Sequence, residues 1–326
     1  MKKRLIGLSV ILAIMGLSLA MAQTTLRLAH ISDTEHPAQH GALRFKELVE
    51  EGTAGRILIE VYPNSTLGSA PEYTEQIGLC AIDLGLSTSG QLQVYVPEYA
   101  VVMMPFIYDG YDHAHRALDG AAGAALAELA AEQGFVILGN WEWGFRQITN
   151  SKRPIESSAD IQGLKMRVPN EIQLMAMFEA LGAATETIAF PELYMALAQG
   201  VVDGQDNPIP TIYHQKFFEV QDYVALTNHV YNTQMLVMSQ CAWEALSDAD
   251  RDVLLDAAAV AGQLVRQLTL DNEDQLVAAM EAAGVTITRP DPAEFRDAVA
   301  PAIDRIAEFA GASFTERFLG LVDEAR

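Results

Sequence analysis

Four residues in this 326-residue chain have the types and positions needed to hold a carboxylate: Arg146, Arg167, Phe190 and Asn207. A guanidinium presents a planar fork of N–H donors that meets a carboxylate through two parallel hydrogen bonds. Arg167 closes an apolar segment at 164–168 that reads as a strand. Phe190 closes another at 185–190, and Asn207 follows a third at 201–203, within Asp203-Gly204-Gln205-Asp206-Asn207-Pro208. In open α/β sheets, ligands sit outside the carboxyl ends of the strands, so these three residues are expected to converge on one edge. Arg146 comes just after Trp141, Trp143 and Phe145, where the chain passes from its first half to its second, and is expected beside the same cleft. Singly, each has a plainer reading: Arg167 pairs with a surface acid, Phe190 fills a core, and Asn207 makes a turn before proline. Their joint placement at one edge favours the binding site.

Other chemistries lack their signatures. The sequence holds no GxGxxG, no GxxxxGK[ST], no GxSxG and no HExxH. His113 and His115 read as a solvated loop. His36 and His40 read as an i, i+4 pair on a helix, with no cysteine or carboxylate completing a metal set. An enzyme needs a general base beside its substrate, and Glu72 is the single candidate. No cofactor and no metal are expected.

The elements that must position these residues repeat. Residues 25–30 and 57–62 alternate as strands, 42–49 carries a helical apolar face, 72–79 reads as a helix and 82–87 as a third strand. That is a βαβαβ unit. An alanine-rich helix at 121–133 leads through Gly134 into a strand at 135–138. The second unit runs strand 164–168, a helix opened by Pro169-Asn170 and ended by Gly182, strand 185–190, helix 191–199 and strand 201–203. Two such units predict an α/β protein of two facing domains, as expected for about 300 residues. After Leu246-Ser247-Asp248-Ala249-Asp250, a helical run reaches almost to Gly284, long enough to span both domains and bend when they close.

The start of the chain is basic at Lys2, Lys3 and Arg4. It is then apolar to Ala20 and ends in Ala20-Met21-Ala22, the pattern of an export signal cut after Ala22. Without it, the formal charge moves from −22 to −25, because three basic residues and no acidic ones are lost. Such a surface repels nucleic acid and anionic lipid, but not a small anion entering a basic pocket. Spacing leaves Cys80 and Cys241 open to either a bridge or two free thiols.

Several ordered motifs resemble the solute-binding proteins of tripartite ATP-independent periplasmic (TRAP) transporters. They are Gly144-Phe145-Arg146-Gln147-Ile148-Thr149-Asn150, Leu164-Lys165-Met166-Arg167-Val168-Pro169, and the stretch from Ala196 through Gly200-Val201-Val202-Asp203 to Asn207-Pro208. Pro63-Asn64 with Leu67-Gly68, and Trp243-Glu244-Ala245-Leu246-Ser247, extend the likeness over nearly all of the chain. The resemblance implies two hinged domains, one formed by 23–145 with about 233–272 and the other by 146–232 with about 273–326. They close over an organic acid that is passed to a membrane permease. It implies that Arg167 clamps the carboxylate, that Arg146 and Asn207 support it, that Phe190 packs on the ligand and that Asn170 assists from the following helix. In sugar-acid members a glutamate at the place of Glu72 bonds ligand hydroxyls. The expectation is therefore a monomeric periplasmic binder of a hexuronate such as glucuronate or galacturonate. A C4-dicarboxylate or other organic-acid binder, or a sensor or enzyme on the same scaffold, is the alternative. Asp206 stands where the family usually has glutamate, and Pro191 where it has a small polar residue.

Overall fold

The computed structural model describes residues 23–326, so the expected export signal lies outside the described residues. The first unit forms as β1 (Thr24–Ala29), α1 (Pro37–Gly52), β2 (Ile57–Tyr62), α2 (Ala70–Gly78), β3 (Leu84–Thr88) and the short α3 (Ser89–Leu92). Helices α4 (Tyr111–Asp119) and α5 (Ala121–Glu132) follow, then the 16-residue strand β4 (Phe135–Asn150). The second unit is β5 (Lys165–Val168), α6 (Ile172–Ala180), β6 (Ala184–Thr187), α7 (Leu193–Ala198), β7 (Gly204–Pro208) and α8 (Ile209–His214). The chain then returns through β8 (Tyr223–Ala225), β9 (Tyr231–Ser239), α9 (Gln240–Glu244) and the 35-residue α10 (Asp248–Ala282). It ends with β10 (Thr286–Thr288), α11 (Pro292–Ala298), α12 (Ala300–Ala310) and α13 (Ala312–Glu324).

Strand β4 joins the halves. In the sheet order β2-β1-β3-β9-β4-β7-β5-β6, its residues Phe135 to Phe145 pair antiparallel with β9, while Arg146 to Asn150 pair antiparallel with β7. The changeover falls at Phe145–Arg146, next to a bulge between Glu142 and Gly144. Gly144 has φ +118, and a Cβ there would stand 3.1 Å from the Pro208 side chain, so only glycine serves at this bend. Helix α10 is the second link. Its first half buries Leu254, Ala258, Ala261 and Val265 with Phe45 and Trp141 of the first domain. Its second half buries Val277 and Met280 with Leu193, Ile212 and Val224 of the second. Ser247 caps its start by accepting from Asp250 N at 3.2 Å.

Several expectations move. Residues 201–203 form a turn, not a strand, and the strand is β7 at Gly204–Pro208. Val202 plugs a core, while the Asp203 carboxylate accepts from Lys165 N at 2.9 Å and closes the loop. The strand at 185–190 stops at Thr187, leaving Phe190 in a 3-10 turn, and α6 starts at Ile172, leaving Asn170 in the preceding loop. The strand at 135–138 is the start of the long β4. His113 and His115 do not lie in a solvated loop. They sit in α4, where His113 is buried against Val322 O at 2.8 Å and His115 meets the buried Glu142 carboxylate at 2.5 Å. His36 is the N-cap of α1, accepting from Ala38 N at 3.1 Å, so it stands just before the helix that holds His40.

The fold also decides the cysteines: Cys80 and Cys241 are bonded, tying the end of α2 to α9 with Cα atoms 5.9 Å apart. The bridge closes a span of 161 residues, which restricts the unfolded chain. Replacing both cysteines by serine should lower stability by about 2–4 kcal/mol. Urea denaturation followed by circular dichroism checks this, and equal midpoints for the oxidised protein and the double variant would contradict it.

Candidate anion-binding cleft

The site grows from the carboxyl end of β5. Arg167 pairs with Gln205 of β7 in the ladder, so its side chain leaves the sheet where the strand ends. Its Nε donates to Ile188 O at 2.9 Å, which anchors one edge of the guanidinium. The residue is 3% exposed, and among the described residues no carboxylate pairs with it. Burial, and then the neighbouring charge of Arg146, pull its pKa down to about 10, so it remains a cation at neutral pH. A buried cation with its fork unpaired is poised for an anion.

Arg146 is placed differently. Its Nε donates to Asp206 Oδ2 at 2.5 Å, and its Nη2 donates to Oδ1 at 3.0 Å and to the Asp206 carbonyl. His229 Nε2 also meets Asp206 Oδ2, at 3.1 Å, while His229 Nδ1 lies 2.7 Å from the Thr227 hydroxyl. Burial lowers the His229 pKa, consistent with a neutral ring that donates through Nε2 and accepts from Thr227. Burial tends to raise the pKa of Asp206, but Arg146 and His229 outweigh it and hold the carboxyl well below the usual range. Arg146 is therefore largely committed to the scaffold, with Nη1 left for a ligand. Asp206 and His229 were not among the residues expected at the site. Sequence shows Asp206 as a polar residue in a turn-like stretch, at the place where the family usually has glutamate, and His229 lies far along the chain.

A cavity of about 570 Å³ opens between the two domains. Arg146, Arg167, Asn170, Phe190 and Asn207 line its second-domain wall, and Glu72 lines the opposite one. Asn207 is buried, its Nδ2 donating to Gln205 Oε1 at 2.5 Å. Phe190 is half-buried and packs edge-on against Phe217, centroids 6.0 Å apart, with part of its surface on the cavity. Glu72 is exposed at the start of α2, where its Oε2 accepts from Ser69 N at 2.7 Å and from Ser69 Oγ at 2.8 Å. Those bonds hold its carboxyl below the ordinary range. Thr88 and Asn232 also line the cavity; Asn232 Oδ1 is buried without a hydrogen-bond partner, and the Thr88 hydroxyl lies beside the Glu171 carboxyl.

Glu171 belongs to the same cavity and went unnoticed in the sequence. It is 4% exposed, and its Oε2 is buried without a hydrogen-bond partner. Burial pushes its pKa up to about 7 against the opposing pull of Arg146 and Arg167. The readable signal was its place directly after Arg167-Val168-Pro169-Asn170, at the mouth of an otherwise apolar helix.

Two α/β domains joined by a crossing strand and a long helix, with a buried unpaired arginine at strand ends facing a cleft, define a solute-binding protein of the two-domain, hinge-linked class. The model of the bacterial extracellular solute-binding protein family 7 matches residues 28–309, and the chain belongs to that family, the solute-binding proteins of TRAP transporters. An uncharacterised protein of Sinorhizobium fredii is 38% identical over 87% of this chain, while the chain spans only 53% of that relative. The sialic acid-binding periplasmic protein of Vibrio cholerae is 33% identical, with 89% of this chain and 91% of that one covered. Among solved structures, a TRAP solute-binding protein from Polaromonas bound to D-erythronate is 36% identical with a TM-score of 0.88, covering 91% of this chain and 98% of that one. One from Sulfitobacter with bound β-D-galacturonate is 30% identical with a TM-score of 0.89, covering 92% and 100%. One from Sulfurospirillum deleyianum with bound succinate is 28% identical with a TM-score of 0.85, covering 91% and 98%.

Proposed function

We propose that this chain is the periplasmic receptor of a TRAP transport system. In this reading it captures a sugar acid of the hexuronate type between its domains and presents it, chemically unchanged, to the membrane permease. The observation that carries the reading is Arg167, a buried guanidinium in the cleft with no carboxylate partner among the described residues. Arg146 and Asn207 flank the bound carboxylate, Phe190 offers an apolar face to the sugar ring, and Asn170 and Glu72 reach hydroxyls from the rim. The opposing walls separate functions: cations at one end take the acid, and the Glu72 acceptor at the other takes hydroxyls and repels a second acid group. The related galacturonate-bound structure supports a uronate, and the succinate-bound one makes a dicarboxylate the alternative to test. The receptor acts as a monomer after cleavage following Ala22. Its two lobes, 23–145 with about 233–272 and 146–232 with about 273–326, close by bending at β4, β9 and α10.

A thermal-shift screen against organic acids, with mass analysis of the eluted ligand, tests capture without chemistry. Calorimetric titration of glucuronate, galacturonate and succinate into the wild type and Glu72→Gln tests the ligand class. The uronates should bind more tightly than succinate, and Glu72→Gln should weaken the uronates. Succinate binding tighter than either uronate, with Glu72→Gln indifferent to all three, would sink the uronate assignment.

A further inference from the structure

Glu171 takes no part in the pairing of Arg146, Asp206 and His229. A carboxylate at a helix start commonly caps the helix or answers its dipole, and Glu171 is the N-cap of α6. Yet its side chain makes no capping hydrogen bond. It turns instead into the cavity, where the carboxyl lies against the backbone of Gly90 on the opposite domain. A Cβ built on Gly90 would stand 2.0 Å from Glu171 Cδ, so glycine is required there for the acid to fit. The acid therefore reaches across the cleft into the space that a ligand enters.

Its electrical surroundings narrow what it could meet. Arg146 from β4 and Arg167 from β5 attract it, and Asp206 from β7 repels it. None of the cations comes within 4.0 Å of its oxygens, so Glu171 stands apart from Arg167 while sharing the same pocket. That separation leaves the two groups free to meet different parts of one ligand. The Thr88 hydroxyl also lies beside the carboxyl, but Oε2 has no hydrogen-bond partner, so the ionised or half-ionised acid can still accept from a donor. Two guanidiniums nearby disfavour an ammonium, whereas a hydroxyl donates without adding charge.

We infer that Glu171 is a specificity-determining acceptor that selects ligands carrying a hydroxyl near the carboxylate held by Arg167. The inference rests on the sugar-acid reading of the cleft and deepens it. It assigns hydroxyl recognition to the arginine end of the pocket as well as to Glu72 at the rim. A hydrogen bond from a hydroxyl to a charged acceptor in a closed site is worth about tenfold to a hundredfold in affinity.

The test is calorimetric, with matched acids: galacturonate against 4-deoxygalacturonate, D-erythronate against 4-hydroxybutanoate, and succinate and L-glutamate as acids without a hydroxyl. In the wild type, each hydroxy acid should bind at least about tenfold more tightly than its deoxy partner. In Glu171→Leu that gap should close, and succinate should bind more tightly because a repelling carboxylate is gone. Gly90→Ala, which displaces the Glu171 carboxyl, should close the gap too and serves if the leucine variant does not fold. A purely structural strut would shift all acids together and leave the gap intact, which overturns the inference, as would equal binding of hydroxy and deoxy acids by the wild type. Erythronate binding with the gap while uronates do not bind removes the uronate reading and keeps Glu171 as selector. Succinate or L-glutamate binding more tightly than every hydroxy acid overturns both.

Discussion

Arg167→Ala should weaken ligand binding by more than roughly a hundredfold while leaving the ligand-free protein no less stable than the wild type. The loss follows from removing one half of a buried charge pair, which costs about 3–5 kcal/mol when the other half remains desolvated. The preserved stability follows from the empty site. Arg167 is 3% exposed, donates only through Nε to Ile188 O, and pairs with no carboxylate among the described residues. Its burial is a cost to the fold that the ligand offsets. Arg167→Lys should fail nearly as badly, because an ammonium is a point charge and cannot reproduce the two-pronged contact. Calorimetry with a bound acid, together with thermal melts of the empty variants, separates the two effects. Near-native affinity in the lysine variant, or a marked drop in the melting temperature of the empty alanine variant, would count against this division of labour.

The neighbouring arginine should behave in the opposite way. Asp206→Ala leaves Arg146 buried without its partner and removes the acceptor of His229, and should cost about 3–5 kcal/mol of stability in the absence of any ligand. The pH dependence has a definite sign. Asp206 is held well below its unfolded value of about 4, so the unfolded chain binds the proton more readily. Its stabilisation is complete above that unfolded value and is lost as pH falls below it. Denaturant curves for the wild type and Asp206→Ala should therefore be well separated at pH 7 and converge in acid. An alanine variant within about 1 kcal/mol of the wild type at pH 7 would show that the Arg146–Asp206 pair contributes little. Together the two experiments distinguish an arginine kept for the ligand from one that holds the wall in shape.

Much of this protein was legible in its residues taken in order. The two βαβαβ units, the long helix over 248–282 and the arginine at the end of β5 all follow from apolar periodicity and from the rule that strand ends face the ligand. Periodicity records which faces are buried in a core, so it works wherever the core decides. It failed at β7. There Gly204-Gln205-Asp206-Asn207-Pro208 is a fully buried strand made of polar residues, while the apolar Val201 and Val202 next to it lie in a turn. The strand tolerates polar side chains because the site satisfies them: Arg146 and His229 on Asp206, and Gln205 on Asn207. No local pattern announces such partners, since Arg146, Asp206 and His229 meet only when β4 crosses between the halves. The same holds for Glu171, whose neighbours Gly90, Arg146 and Arg167 come from three separate elements, and for Cys80 and Cys241, 161 residues apart. Sequence by itself determined the kind of fold and the presence of an arginine at the end of a strand that faces the cleft, because both rest on short-range pattern. Tertiary structure alone decided which arginine is paired, which acid enters the cleft and which sulfurs join, because charge pairing, desolvation and bridging depend on distances that only the folded chain sets.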